Sequence, residues 1–237
     1  MHVTAIVPAY NTFEYIAECL DSILDQTHDD FDILVVDDGS SDLTEALVSS
    51  YLIDPRISLV SYKPHRNVTY ALATGIRYAF GPIITIVDSD DKLLDKSIFK
   101  HASDLFQADT SLGFAWSKFI CSTGKKGWSN DLPSGQTLFE AMSANWWSAC
   151  HQKFFRKSVY NCTIGLNSFF DRAADFQLVY LLATTGCKVQ HIDQITYWYR
   201  RNRLGSISSD GSKRQRNEVR GIKRWIQENK ALLTISS

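Results

Sequence analysis

The stretch "IVDSDDK", residues 86–92, ends a run of strand-forming apolar residues with three carboxylates. Asp88, Asp90 and Asp91 repel one another, so their proximity costs stability unless a cation lies among them. Carboxylate oxygens are ligands that Mg²⁺ and Mn²⁺ prefer in proteins. The stretch therefore predicts a divalent-cation site at the end of a strand. The alternative is that Asp90 or Asp91 only caps a following helix.

Short apolar strands alternate with amphipathic helices before this stretch. Strands are predicted at residues 3–7, in "FDILVVDDGSSD", in "ISLVSY" and in "IITIVDSDD", and helices in "NTFEYIAECLDSILDQ", "LTEALVSSYL" and "TYALATGIRYAF". Asn11 or Thr12 is expected to cap the first of these helices. Continuously apolar strands separated by helices are typical of a parallel sheet with helices on both faces. Ligands of such sheets bind beyond the carboxyl ends of the strands. We therefore predict an α/β fold in which the turns at residues 8–11, 37–39 and 88–91 share one crevice.

The pattern changes after residue 92. "SIFKHASDLFQ" predicts a helix, "LGFAWSKFIC" and "KVQHIDQITYWYR" predict strands, and "FFDRAADFQLVYLLATTG" becomes helical. The segment "TLFEAMSANWWSACHQKFFRKSVY" mixes aromatic and helical patterns. The chain ends in a basic amphipathic helix. We divide it into residues 1–100 and 101–210, two halves of one domain, and the basic helix at residues 211–237.

The composition is that of an ordinary globular protein. The chain has 237 residues, 44% of them hydrophobic, and a net charge of -1. The charge is uneven, because residues 1–199 are acidic and residues 200–237 are strongly basic. The basic helix predicts a contact with something anionic: phosphate, lipid headgroups, nucleic acid or the rest of the chain. A solvated helix face is the alternative.

The cysteines and the first residues predict a compartment. There are five cysteines without a CxxC pair, which favours reduced thiols over a zinc site or a disulfide framework. The sequence begins with "MHVTAIVPAYN" and shows neither a signal-peptide pattern nor an apolar run of membrane-spanning length. We expect a cytoplasmic protein that associates peripherally with a membrane surface if the basic helix binds one.

Three motifs together carry a family resemblance. With "TAIVPAYN", "FDILVVDDGSSD" and "IVDSDD" in this order, the sequence resembles the family 2 glycosyltransferases of the GT-A fold. The resemblance implies a Rossmann-like, mostly parallel sheet with helices on both faces. It also implies inverting transfer of one sugar from a nucleotide-sugar donor, UDP-linked in our interpretation, to an acceptor hydroxyl. Bound Mn²⁺ or Mg²⁺ would act as a Lewis acid on the departing diphosphate.

The resemblance assigns donor contacts residue by residue. The loop after the first strand would lie against the nucleobase of the donor. A carboxylate after the second strand would accept an imino N–H of the nucleobase, which suits uracil. The acidic stretch at residues 88–91 would hold the ribose and the metal. Arginines near residue 200 would clamp the diphosphate. The implied donor residues are Pro8, Ala9, Tyr10, Asn11, Asp38, Asn67, Asp88, Ser89, Arg200 and Arg203, and the implied metal ligands are Asp90 and Asp91.

The sequence departs from the family pattern at several positions. Thr69 stands where a glycine is common, and Ala73 where an asparagine is common. The segment "YWYRRNRLGSIS" lacks the histidine that joins the metal in many members and has Asn202 and Arg203 instead. The Gln-x-x-Arg-Trp element of processive members is also missing. Addition of a single sugar is therefore expected rather than polymer synthesis.

The second half is expected to supply the general base and the acceptor site. "RAADFQLVYLLATTG" resembles the helix start where the family places its base, which makes Asp175 the candidate, with Ala174 where Glu is frequent. Asp171 is a rival, and simple N-capping by Asp175 is the alternative. Trp147 and His151 are candidates for the acceptor pocket, although buried aromatic packing explains them equally well.

The acceptor and the function class leave alternatives. The acceptor is expected to be a saccharide, a lipid-linked glycan, a protein or a modified nucleic acid, and the chain to form a homo-oligomer in one interpretation. A nucleotidyltransferase that makes sugar nucleotides is an alternative, but "VPAYNTFEYI" lacks the glycine-rich loop of such enzymes. A binding protein that has lost catalysis is another. The retained carboxylates argue against it, because unpaired carboxylates cost stability.

Overall fold

The computed structural model describes residues 1–125, 127, 129–148, 151–201 and 213–229. Eight strands and eight helices alternate along these ranges. The strands are β1 Val3–Ala9, β2 Phe31–Asp37, β3 Ile57–Ser61, β4 Ile83–Ile86, β5 Lys92–Leu93, β6 Leu112–Cys121, β7 Lys153–Arg156 and β8 Lys188–Tyr199. The helices are α1 Ile16–Leu24, α2 Thr44–Tyr51, α3 Val68–Tyr78, α4 Ile98–Ala108, α5 Leu138–Ser143, α6 Lys157–Asn161, α7 Ala174–Ala183 and α8 Lys213–Asn229.

All eight strands form one mixed sheet in the order β3-β2-β1-β4-β7-β6-β8-β5. The first four strands run parallel, with β1 paired to both β2 and β4. The strand β7 enters the middle of the sheet antiparallel to β4 and β6. The predicted mostly parallel sheet is confirmed. The carboxyl ends of β1, β2 and β4 meet at one edge, as the crevice prediction requires.

Each face of the sheet is covered by helices. Side chains of a strand alternate between faces, so Val7 packs with α1, α2 and α4, and Ile6 packs with α3 and α7. The same alternation in β7 sends the fully buried Phe154 to the first face and Phe155 to the second. Burial of apolar surface on both faces, at roughly 25 cal/mol per Å², explains the continuously apolar strands.

The structure corrects the start of the first helix. We expected Asn11 or Thr12 to cap it, but α1 begins at Ile16 without a side-chain cap. The side chain of Asn11 instead accepts a hydrogen bond from the backbone N–H of Ser41 at 2.8 Å. Its φ of 49° is a left-handed conformation that asparagine tolerates. Asn11 therefore ties the loop after β1 to the loop after β2.

Two short strands were not predicted. The strand β5 follows the acidic stretch, where a helix cap was the alternative, and pairs with the end of β8. The strand β7 lies in a segment whose sequence showed mixed patterns. The basic C-terminal helix is present as α8, whose Ile222 and Ile226 pack against the body of the protein. None of the helices in the described ranges is both long and apolar enough to cross a membrane.

A histidine at the opposite edge of the sheet makes stability depend on pH. His2 Nδ1 lies 2.7 Å from Asp30 Oδ1, and Nε2 lies 2.8 Å from Asp32 Oδ1. Burial alone would lower the pKa of His2, but hydrogen bonds to the two carboxylates outweigh it, so the pKa is raised. Its stabilising contribution is complete below about pH 6.5, the ordinary histidine value. It is lost as the pH rises through the higher folded-state pKa.

We predict that His2→Asn lowers the free energy of unfolding more at pH 5.5 than at pH 8.5. Urea denaturation at both pH values measures the difference. His101→Asn, a change of an exposed helix histidine, is the control and is expected to leave the pH dependence unchanged. A pH dependence identical in wild type and His2→Asn would contradict the prediction.

Candidate functional site

The candidate site lies where β1, β2 and β4 end. The backbone N–H of Val87 donates to the carbonyl of Ile6 at 3.0 Å, and the N–H of Asp38 donates to the carbonyl of Ala9 at 2.8 Å. These bonds continue the parallel pairing past the last strand residues. They hold the turn after β4 and the turn after β2 against the end of β1. The predicted meeting of the three polar turns is therefore present in the structure.

Three side chains at this edge form a cluster that could hold a metal ion. One ligand atom each from Asp88, Asp91 and His151 lies within 4.8 Å of the others. Carboxylate oxygens and a neutral imidazole nitrogen together suit a divalent ion such as Mn²⁺. Of the predicted ligands, Asp91 belongs to this cluster, whereas the side chain of Asp90 does not. His151, predicted for the acceptor pocket, lies in the cluster.

Asp91 is the buried anchor of the cluster, with 1% of its surface exposed. Its Oδ2 accepts a hydrogen bond from the Tyr197 hydroxyl at 2.8 Å, and its Oδ1 accepts one from the Arg200 backbone N–H at 2.7 Å. Burial, followed by the charges of Asp88 and Asp90, raises the pKa of Asp91 well above its ordinary value. A cation at this position would offset both effects, so the donor set fits a metal.

His151 is positioned by aromatic rings. Its imidazole stacks on Tyr199 at 4.3 Å between centroids and contacts Phe119 edge-on at 4.4 Å. Burial, followed by the nearby charge of Lys153, lowers the pKa of His151 to about 3. The imidazole is therefore neutral at physiological pH, which is the form that binds metals.

Arg200 packs beside the acidic stretch. Its Nε donates to the backbone carbonyl of Asp90 at 2.8 Å, and an Nη donates to Glu18 at 2.6 Å. The guanidinium lies over the rings of Tyr15 and Trp198 at about 4.5 Å. The structure thus places Arg200 at the crevice, where a diphosphate would compete with Glu18. Arg203, the other predicted diphosphate ligand, lies outside the described residues, as does Asn202.

The predicted nucleobase site contains a stacked aromatic pair and a buried carboxylate. Tyr10 stacks on His65 with 3.8 Å between ring centroids. Asp38 Oδ1 accepts a hydrogen bond from the Arg66 backbone N–H at 2.8 Å, and His65 Nδ1 lies 2.9 Å from Oδ2. Burial raises the pKa of Asp38. Pro8 and Ala9, predicted to lie in the loop facing the nucleobase, are the last two residues of β1.

Asn67 connects the two halves of the chain. It caps α3, because its Oδ1 accepts the Tyr70 N–H at 2.9 Å, and its Nδ2 donates to the Ser168 carbonyl at 2.8 Å. The hydroxyl of Thr69, which stands where the family pattern has glycine, donates to the Phe170 carbonyl at 2.5 Å. These bonds fix the segment before α7 to the start of α3. Ser89 is buried within the acidic turn.

The candidate general base, Asp175, lies in the first turn of α7. Asp175 is 36% exposed, and its Oδ1 lies 2.9 Å from Lys153 Nζ. The rival Asp171 instead lies 3.3 Å from Arg214 on α8. We did not predict Lys153, whose only sequence signal is a lysine immediately before two phenylalanines in "QKFFR". Trp147 packs on Phe176 of α7 at 5.4 Å.

Residues 4–164 match the model of the family described as Glycosyl transferase family 2. This match covers more than half of the chain, so the chain belongs to that family. The predicted family is therefore confirmed.

Curated relatives agree with this assignment. The chondroitin synthase of Escherichia coli is 30% identical over 201 residues, which are 82% of this chain and 28% of that protein. The glycosyltransferase GlyG of Streptococcus pneumoniae serotype 4 is 29% identical over 223 residues, 86% of this chain and 72% of that protein. The chain thus spans less than a third of the length of the chondroitin synthase.

Solved structures share the fold. TarS residues 1–349 of S. aureus in complex with UDP has a TM-score of 0.73 at 22% identity, over 84% of this chain and 60% of that chain. The mannosyltransferase PcManGT of Pyrobaculum calidifontis, in complex with GDP-Man and Mn²⁺, has a TM-score of 0.66 at 24% identity, over 86% and 58%. The predicted GT-A fold is confirmed.

We predict that Tyr197→Phe destabilises the protein by about 1–3 kcal/mol, the usual cost of leaving a buried polar group without its partner. The change removes the hydroxyl that donates to Asp91 and accepts the N–H of Asp88. Urea denaturation measures the loss. Tyr78→Phe, at an exposed tyrosine, is the matched control. Equal stability of the two variants would show that Tyr197 does not hold Asp91.

Proposed function

We propose that this chain is a metal-dependent, inverting glycosyltransferase that moves one sugar from a UDP-sugar to an acceptor hydroxyl. The supporting observation is that a metal-type cluster and a candidate base lie at the same end of β7. His151 belongs to the cluster, and Lys153, two residues further, pairs with Asp175. A donor diphosphate and an acceptor hydroxyl must meet within a few ångströms for transfer, and the proximity of the cluster to the candidate base supports this proposal.

Asp88, Asp91 and His151 would hold the cation. When bound, a divalent ion supplies Lewis-acid stabilisation of the diphosphate leaving group. Tyr197 and the Arg200 backbone keep Asp91 oriented toward the cluster. Asp90 stays a predicted ligand. We favour Mn²⁺ or Mg²⁺ because two of the three ligands are carboxylates.

Asp175 would act as the general base. Its carboxylate removes the proton of the acceptor hydroxyl while that oxygen attacks the anomeric carbon, and the bond to the diphosphate breaks. A retaining mechanism through a covalent intermediate needs a second carboxylate near the sugar, and Asp171 is instead directed toward Arg214. Single displacement with inversion therefore follows from this assignment.

In this proposal, residues 1–100 would bind the nucleotide-sugar donor and residues 101–210 would bind the acceptor. Tyr10 and Asp38 would receive the base, and the uracil assignment rests on a carboxylate that can accept an imino N–H. TarS has been solved with UDP and with UDP-GlcNAc, which supports a uridine donor on this fold. The kinship with chondroitin synthases favours a saccharide acceptor. Residues 101–210 would bind it, with Trp147 at its edge.

We also propose that α8 meets an anionic surface. Arg216, Arg220 and Arg224 are exposed at intervals of four residues, so they share one face. Lys223 does not belong to that face, because its Nζ donates to the carbonyl of Ser143 at 3.1 Å. A lipid-linked glycan would bring acceptor and anionic surface together. Lipid, protein and nucleic-acid acceptors, and a homo-oligomer, stay predictions.

We predict that Mn²⁺ with UDP raises the melting temperature, and that His151→Ala removes the part due to Mn²⁺. A ligand at 100 times its Kd stabilises a protein by about 2.7 kcal/mol. Differential scanning fluorimetry with and without Mn²⁺ measures the increment, and His101→Ala is the control. Asp90→Ala, tested alongside, decides whether Asp90 is also a ligand. An increment unchanged in His151→Ala would place the metal elsewhere.

We predict that Asp175→Asn lowers transfer and donor hydrolysis by at least about 100-fold, the lower range for loss of a general base. Water can replace the acceptor, so release of UDP from UDP-sugars reports the reaction without a known acceptor. The thermal shift with UDP and Mn²⁺ is expected to persist in this variant. Asp171→Asn is the control and should retain turnover. Full turnover by Asp175→Asn would exclude Asp175 as the base.

A further inference from the structure

A lysine is buried at the centre of the sheet. Lys153 opens β7, where its backbone lies between Ile86 of β4 and Trp116 of β6. The residues that follow it, Phe154 and Phe155, are fully buried. The side chain of Lys153 is only 3% exposed. The charged side chain of Lys153 is therefore nearly as buried as the two apolar side chains that follow it in β7.

This burial costs stability. Removing an ammonium ion from water has an effective cost of several kcal/mol, and replacing a buried ion pair with apolar residues is often neutral or stabilising. Stability of the fold alone thus gives no reason for a lysine at this position. The charge needs another explanation, which the surroundings of Nζ supply.

The ammonium lies behind the candidate base. Lys153 Nζ is 2.9 Å from Asp175 Oδ1, and the lysine is far more buried than the aspartate. The pair thus has an inner, cationic side and an outer, anionic side that is partly exposed. Asp175 lies in the first turn of α7, where its backbone is fixed by the helix. The ion pair adds a constraint on the side chain, which a helix start alone does not provide.

The ion pair lies next to the acidic cluster. Asp88 and Asp91 share that cluster with His151. His151 and Lys153 both lie at the start of β7, and the charges of Lys153 and Asp175 each act on the His151 imidazole. The ammonium of Lys153 thus holds the carboxylate of Asp175 beside the cluster.

We infer that Lys153 is a positioning residue that orients Asp175 for proton removal from the acceptor. This inference rests on the proposed function. Lys153 acts through Asp175 and contacts neither the donor nor the transferred sugar. The proton moves from the acceptor hydroxyl to the Asp175 carboxylate, the acceptor oxygen forms the bond to the anomeric carbon, and the electron pair of the broken bond leaves with UDP. A carboxylate displaced by about 1 Å would slow this step roughly 100-fold.

The test is a double-mutant cycle on the intact chain with Mn²⁺. Wild type, Lys153→Met, Asp175→Asn and the double variant are assayed for hydrolysis of UDP-N-acetylglucosamine, UDP-glucose and UDP-galactose. We expect Lys153→Met to lower kcat about 100-fold with an unchanged KM for the donor. In the Asp175→Asn background the same change should have no further effect on kcat. Lys153→Arg, which retains the charge, should recover part of the loss.

A surface pair provides the matched control. Lys188 Nζ lies 2.6 Å from Asp109 Oδ2 in an exposed position, so Lys188→Met also removes a lysine from an aspartate. It should leave kcat unchanged. A purely structural role for Lys153 would instead lower the melting temperature and raise the donor KM along with any loss of kcat.

The outcomes separate the two proposals. A wild-type chain that hydrolyses none of the three donors, or an active Asp175→Asn variant, overturns the proposed function and the inference with it. Hydrolysis that needs Asp175 but is unaffected by Lys153→Met overturns the inference alone. The inference alone is also overturned if the kcat losses of Lys153→Met and Asp175→Asn multiply in the double variant. If Lys153→Met does not fold, the double variant still decides, because it contains no unpaired buried charge. A kcat below that of Asp175→Asn would then overturn the inference.

Discussion

The repulsion among carboxylates at the end of β4 is the constraint on which the rest of the site depends. Burial raises the pKa of Asp91, and its oxygens accept hydrogen bonds from the Tyr197 hydroxyl and the Arg200 backbone N–H. Both donors come from the end of β8. The last strand of the domain thus completes an acidic cluster that the first half begins, and His151 adds a neutral ligand from beside β7.

The parallel half of the fold was predictable because its strands are short, apolar and regularly separated by helices. The crevice was predictable for the same reason, since polar turns at the ends of parallel strands must meet. The predicted start of α1 was wrong, because the side chain of Asn11 contacts Ser41, 30 residues away, and does not cap the helix. Local sequence does not distinguish these two uses of one amide.

The antiparallel strand β7 could not be predicted from the sequence. The contacts of the candidate site that depend on β7 could therefore not be predicted either. The four residues of β7, of which only the central two are apolar, are too few to show a periodicity that separates strand from helix. The pairing of Lys153 with Asp175 depends on that strand lying next to β4. The inclusion of His151 in the acidic cluster likewise depends on tertiary structure, because no spacing rule connects it to Asp88. The donor residues were assigned by resemblance, which follows local motifs better than distant contacts.

The central place of β7 also governs how such chains can be recombined. Strand β4 lies within the first hundred residues, yet it is an interior strand, and one of its edges pairs with residues 153–156. A cut at residue 100 would expose that edge on one fragment and strip β7 of a neighbour on the other. Exchange of parts between this chain and its relatives is therefore expected to work through substitutions and loop grafts within one intact sheet, and not through joining of separate fragments.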